Sequence, residues 1–360
     1  SCSYVGDEIL KNVDYINKKK ENLRDSLRDQ NLLGHYSDLP MISSPTTCGV
    51  DGSYVVERLL GSDLIASAAV ALEGLTPPSE NKYWEKPYHL VYINSHKHDP
   101  DSTMIVRGLM WEMEIILAAK APHNLVFIDG SITNPFLNIN AALAKLDKFT
   151  GSTLKAEITK YFDSFLSSYE KIICSNKSNQ IWVGVPKYTS KREVGQKLNL
   201  SSNYEDRSIL TSILKSGEFI YPLPYEQSSD EWHLNISSLG NKESHKKKID
   251  RIIKDLKSLH IFYFKPHPYT PALRIEIPGK VIKNEYKLST IMNGILYQCG
   301  SPSIIEPYPL YMADRMVKSL GKAIPSFRQV ATRQMAEKFE KDVSEIFFSM
   351  HSYRTESNRM

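Results

Sequence analysis

Two copies of one tripeptide, Asp51-Gly52-Ser53 and Asp129-Gly130-Ser131, constrain this chain more than any other feature. Each follows a short apolar run, Cys48-Gly49-Val50 in the first copy and Val126-Phe127-Ile128 in the second. Such runs read as buried strands, and a glycine directly after the acid admits backbone angles that other residues avoid. The pattern predicts a carboxylate presented at the end of each strand, followed by a tight turn. If the two strands are sheet neighbours, both acids point into one crevice. Asp-Gly alone is a common turn dipeptide; its recurrence in the same strand context singles it out.

The rest of the chain supplies strands and helices in mixed order. Apolar runs predict strands over Leu64 to Leu72, His89 to Ile93, Gln180 to Lys187, Ile261 to Phe264 and Ala272 to Ile277. Three- and four-residue apolar spacing predicts helices over Asp7 to Gln30, Ser102 to Lys120, Phe136 to Lys148 and Ser152 to Cys174. Further helices are predicted over Tyr286 to Cys299, Leu310 to Leu320 and Gln329 to Phe348. Ser216 to Asp230, with Pro222 and Pro224, reads as a connection. The first helix, followed by the Pro/Ser-rich Leu39 to Pro45, reads as an arm joined to a body. Strands mixed with helices imply an α/β fold whose central sheet is covered on both faces.

Composition narrows the function classes. Hydrophobic residues at 41% and charged residues at 24% fit a globular chain with a sizeable core, which excludes a disordered chain and a coiled-coil rod. No run reaches the ~18 apolar residues of a membrane span, and the first residues lack a signal-peptide pattern. Cys2, Cys48, Cys174 and Cys299 form no Cys-x-x-Cys pair, so a reducing compartment, the cytoplasm, is expected and a cysteine zinc site is not. A net charge of +4 is too weak by itself to imply nucleic acid. The Lys/Arg-rich stretch Asn241 to His260 reads equally well as a solvated helix face.

A third acid lies close by in sequence. Glu112 and Glu114 sit among apolar residues of the helix before the second Asp-Gly-Ser strand. Residues two apart do not share a helix face, and an unpaired buried acid is costly. The reading places Glu114 inside and Glu112 toward solvent, with either one open as a ligand. Converging carboxylates repel one another and lose solvation. Divalent cations relieve both effects, and an all-oxygen set suits Mg²⁺ or Mn²⁺ rather than zinc. Two such ions can hold the attacking water and the leaving oxygen of a phosphodiester.

With those residues in view, the sequence resembles the NurA family, prokaryotic DNA nucleases that partner the HerA translocase. The resemblance runs in blocks from about Gly49 to Ala331. Besides the two Asp-Gly-Ser copies, Val183-Gly184-Val185-Pro186-Lys187 is similar to the family's Gly-Val-x-Lys strand, and Asp206 to Leu210 to its Asp-x-x-x-Leu block. Phe262-Tyr263-Phe264 with Arg274-Ile275-Glu276 matches its paired late strands, and Tyr308-Pro309-Leu310 followed by Ala313-Asp314 its C-terminal motif.

The resemblance implies an RNase H-like fold and a two-metal Mn²⁺ or Mg²⁺ site held by Asp51, Glu114, Asp129 and Asp314. It implies 5′-to-3′ exonuclease and single-strand endonuclease activity on DNA with a HerA-like hexameric motor, in end processing or antiviral defence, and a homodimer threading DNA. The body spans 41–340, between the arm at 1–40 and a C-terminal helix end and tail at 341–360. Two positions depart from the family: Asp314 stands at its histidine, and Glu306 where it often has tyrosine. For the DNA backbone, Lys187 at a strand end and Arg274 between apolar neighbours are the candidate phosphate contacts; a salt bridge for Arg274 is the competing reading.

Two other classes remain open on sequence. One is a clamp that keeps the fold without cleavage, for which Glu306 speaks. The other is an actin-like or sugar-kinase ATPase, against which stands the lack of a Gly-Gly-rich loop in the second half. His96 and His98 read as a surface loop pair and not as parts of a triad.

Overall fold

Alternation of side chains along β-strands dictates which residues meet which helix, and the computed structural model follows it closely. The structure describes residues 2–149, 151–174, 179–189, 191–201, 204–226, 232–239, 243–339 and 343–351. The expected tail past Phe348 therefore lies outside the described residues from 352 on.

The elements run as follows. Helix α1 (Cys2–Asp29) and the short β1 (Leu33–His35) lead into β2 (Thr47–Arg58), β3 (Asp63–Glu73) and β4 (Tyr88–His96). Helix α2 (Ser102–Lys120), β5 (Leu125–Asp129), α3 (Asn134–Leu146), α4 (Ser152–Cys174) and β6 (Ile181–Val185) follow. Then come α5 (Glu193–Lys197), α6 (Asp206–Ile213), β7 (Glu218–Pro224), α7 (Glu243–Leu256), β8 (His260–Phe264) and β9 (Leu273–Ile277). The last helices are α8 (Gly279–Ile282), α9 (Glu285–Gln298), α10 (Tyr308–Lys338) and α11 (Val343–Ser349).

The nine strands among the described residues form one mixed sheet in the order β1-β7-β8-β9-β6-β5-β2-β3-β4. Strands β2, β3 and β4 are an antiparallel meander; β5 adds parallel to β2 and β6 adds parallel to β5, both reached through helices. This is an RNase H-like mixed α/β architecture. Val126 and Ile128 of β5 face one core with α2, α3, α4 and α7. Leu125 and Phe127, one position out of phase, face the other core with α9 and the start of α10. Among the described residues no helix is long and apolar enough to cross a membrane.

Three expectations are corrected. Asp51-Gly52-Ser53 lies within a continuous twelve-residue strand and ends in no turn. The expected connection at Ser216 to Asp230 contains β7, whose pairing with β8 shifts register between Ile220 and Leu223, so Pro222 falls where the ladder is already broken. The two expected C-terminal helices are largely one, α10, which runs through Pro325 before α11. The described end of α1 packs on the body. Leu27 is buried with Ile209, Leu210 and Ile213, and Arg24 donates to both carboxylate oxygens of Glu218 at 2.6 Å.

Candidate metal centre

Sheet register brings the two duplicated acids together. Val50 of β2 pairs with Ile128 of parallel β5, so Asp51 and Asp129 follow side by side. Asp129 ends its strand because Gly130 takes φ +81°, a left-handed angle that glycine accepts without strain. Gly52 has a different purpose: a β-carbon there would stand 2.7 Å from Met110 Cγ and 3.0 Å from Glu114 Oε2. It is a gap in the strand that lets the Glu114 carboxylate approach.

Asp314 arrives from the opposite face of the sheet. The entry of α10 crosses Gly49, where any side chain would collide with the Pro309–Leu310 backbone. That close approach lays the following turn of α10, with Asp314, over the strand ends. One ligand oxygen from each of Asp51, Asp129 and Asp314 lies within 4.8 Å of the others. Glu114 is not part of this three-way approach, yet it is fully buried and neither of its oxygens has a hydrogen-bond partner among the described residues.

The electrostatics follow from crowding. Burial and then the nearby Asp129 push the Asp51 carboxyl up to about 8, although the Gly52 N–H donates to Asp51 Oδ1 at 2.7 Å. Burial, then Asp51 and Asp129, hold Glu114 well above the usual carboxylate range. Lys187 is the cluster's internal cation. Its Nζ lies 3.2 Å from Asp129 Oδ2, 3.2 Å from Glu306 Oε2 and 3.8 Å from Asp314 Oδ1. Burial pulls its pKa down, but Asp129, Glu306 and Asp314 together raise it. Asp314 also accepts from Lys318 Nζ at 2.8 Å.

Two lysines thus face five carboxylates, and Glu114 has no hydrogen-bond partner among the described residues. The oxygen-only donor set, the orphaned Glu114 and the raised Asp51 carboxyl fit a divalent cation. Chemically, an ion held there can act as a Lewis acid toward a phosphoryl oxygen.

The structure therefore gathers Asp51, Asp129, Asp314 and Lys187, with Glu114 directly behind Gly52. It departs from expectation at Arg274, which is 0% exposed and has no surface to offer a DNA backbone. Its guanidinium makes a bidentate pair with Glu193 at 2.7 and 2.8 Å and donates from Nε to Glu276 at 3.2 Å. Glu276 in turn accepts from Ser131 Oγ at 2.6 Å and from the Ile132 N–H at 3.1 Å. This buried network pins the turn that follows Asp129. Tyr263 and Phe264 are likewise fully buried, so neither can stack on a base.

Glu112, expected toward solvent, is also fully buried, on the side of α2 nearer Glu157. The residue that sequence reasoning under-used is Glu306. It was visible only as a departure from the family, and no local pattern announces that the loop before Pro307 returns it to Lys187. The Asp206 block has a structural explanation: its carboxylate accepts from the Val194 and Gly195 N–H groups at 2.8 and 2.7 Å, starting α5.

Sheet topology and carboxylate cluster define a mixed α/β protein of RNase H-like topology with an acidic centre where the middle of β2 runs beside the end of β5. The NurA domain model matches residues 45–319, and the chain belongs to the NurA family. Among solved structures it is similar to the NurA nuclease from Sulfolobus solfataricus, at 16% identity and a TM-score of 0.57, covering 94% of this chain and 98% of that one. A NurA structure with manganese matches at 14% identity and a TM-score of 0.54, covering 94% and 99%. A further NurA structure matches at 15% identity and a TM-score of 0.51, covering 95% and 99%. No curated protein matches the chain.

Proposed function

We propose that this protein is a metal-dependent DNA nuclease in which Asp51, Glu114, Asp129 and Asp314 hold Mn²⁺ or Mg²⁺ at a two-metal site. The observation that carries this reading is the meeting of Asp51, Asp129 and Asp314 oxygens within 4.8 Å, drawn from three separate elements. Family membership and the manganese-containing NurA structure support it. Bound divalent ions supply Lewis-acid activation of the phosphodiester and of the attacking water. Around them Gly52 keeps Glu114 close, the Glu276–Ser131 bond fixes the turn carrying Asp129, and α10 positions Asp314. Lys187, about one-third exposed within the cluster, is placed to meet a phosphate oxygen.

The family further supports 5′-to-3′ exonuclease and single-strand endonuclease activity, a homodimer, and work with a HerA-like hexameric translocase in DNA end processing or antiviral defence. In this reading the body at 41–340 carries the chemistry and the segments at 1–40 and 341–360 flank it. A second reading, a clamp that binds DNA without cutting, draws on one observation: Glu306 adds an acid and engages Lys187 at 3.2 Å.

Incubation with end-labelled linear DNA separates the two. The nuclease reading expects cleavage with Mn²⁺, none with EDTA, and at least about a hundredfold loss in Asp129→Asn, since a lost metal ligand removes several kcal/mol of transition-state stabilisation. Undiminished cleavage by Asp129→Asn refutes the site. DNA binding without cleavage in any metal selects the clamp.

A further inference from the structure

We propose that the cleft beside the acidic centre is a subsite for a backbone phosphate of single-stranded DNA, with Arg107 as the group that binds it. The proposal rests on the nuclease reading and adds where the strand lies.

The cleft has a volume of about 380 Å³ and is lined by Gly52, Ser53, Tyr54, Arg107, Trp111 and Asn138 among others. Its one charged lining residue is Arg107, and no acid lines it. Arg107 is only partly exposed, its Nε is buried, and it makes no hydrogen bond or ion pair with any described residue. That is unusual in this protein, where Arg24, Arg274 and Arg328 each engage a carboxylate and the partly buried Arg192 and Arg207 donate to backbone carbonyls. A buried guanidinium N–H without a partner is unfavourable, and the exposed part of the group is open to a ligand in the cleft. The planar, five-donor fork matches a phosphate.

The cleft's position selects the ligand. Gly52 lines it and is also the gap that admits Glu114. Arg107, Trp111 and Glu114 stand at i, i+4 and i+7 on α2, so they share one face, with about 10 Å of helix axis between Arg107 and Glu114. A strand whose scissile phosphate lies at the carboxylates brings a neighbouring phosphate past Arg107. Tyr54 and Trp111 offer aromatic walls to its sugar and base. A cation there offsets the repulsion between the acidic centre and the incoming backbone.

Anisotropy with a fluorescein-labelled oligothymidylate strand in EDTA, over a series of KCl concentrations, tests this on the full-length protein. Arg107→Gln is expected to weaken binding about tenfold at low salt, in line with loss of a charge-assisted bond. It is also expected to flatten the log Kd against log salt slope by about 0.7. Arg107→Lys should recover the slope and part of the affinity. Asn138→Asp, at a half-exposed position on the wall, should weaken binding independently. Unchanged affinity and slope in both Arg107→Gln and Asn138→Asp overturn the assignment. If Asp129→Asn still abolishes cleavage in that case, the nuclease reading stands without the cleft. If the unsubstituted protein neither binds nor cleaves DNA, both fall.

Discussion

Asp51→Asn should make the metal-free protein more stable at alkaline pH while leaving it unchanged in acid. The Asp51 carboxyl is 7% exposed and is pushed from 3.8 up to about 8 by burial and by Asp129. Because the folded state holds this proton more tightly than the unfolded chain, ionisation opposes folding. The penalty is absent below about pH 4, grows through neutrality and levels off above about pH 8. At 1.36 kcal/mol for each pH unit between the two values, the ceiling is about 6 kcal/mol. Relaxation of the site and entry of water bring the realised cost to about 3 kcal/mol. Asparagine keeps the shape and removes the charge. For a chain of this size that corresponds to a rise in Tm of roughly 4 °C at pH 8.5. Thermal unfolding in EDTA at pH 4.5, 6.5 and 8.5, followed by circular dichroism, reads the difference. Added Mn²⁺ should raise the Tm of the unsubstituted protein by mass action and leave Asp51→Asn nearly unmoved. A Tm difference that does not depend on pH, or equal stabilisation of both proteins by Mn²⁺, refutes the claim that Asp51 ionises into a crowded carboxylate centre.

Two other perturbations probe the surroundings. Lys187→Met removes the cation that faces Asp129, Glu306 and Asp314, and should lower stability at pH 7 by about 1–2 kcal/mol. Isothermal titration should at the same time show Mn²⁺ binding several-fold tighter, because a competing positive charge is gone; weaker binding would make Lys187 part of the ion's support instead. Glu276→Ala strips the acceptor from Ser131 and Ile132 and one partner from Arg274, at about 3–5 kcal/mol. Its Mn²⁺ affinity should fall as the Asp129 turn loosens, and Glu276→Gln should recover most of both losses. Equal Mn²⁺ affinity in Glu276→Ala and the unsubstituted protein would confine the network to stability.

What could be read from sequence was what local chemistry controls. Helices α2 and α4 match their apolar spacing to the residue, and β3, β4, β8 and β9 follow from apolar runs. Strand β7 could not be read because its two prolines argue against a strand, and only the partner β8 reveals the bulge that accommodates them. Gly52 was recognised as necessary for the wrong reason. A backbone angle can be inferred from a tripeptide, whereas the space needed by Glu114 belongs to a helix some sixty positions on. Arg274 shows the same limit. A charge between apolar neighbours announces a partner, but that the partner is Glu193 and not DNA depends on how β9 faces α5. Glu112 fails differently, since the rule that an unpaired acid avoids the core is broken outright.

The saddle at Gly49 has a consequence for biogenesis. Because α10 can settle only after nearly the whole body has been synthesised, a nascent chain still on the ribosome carries Asp51 and Asp129 without their third companion. Such an intermediate holds an open, incomplete ring of acids. Under the proposed function, any metal chemistry at these carboxylates would have to wait until α10 has emerged and seated itself against the sheet.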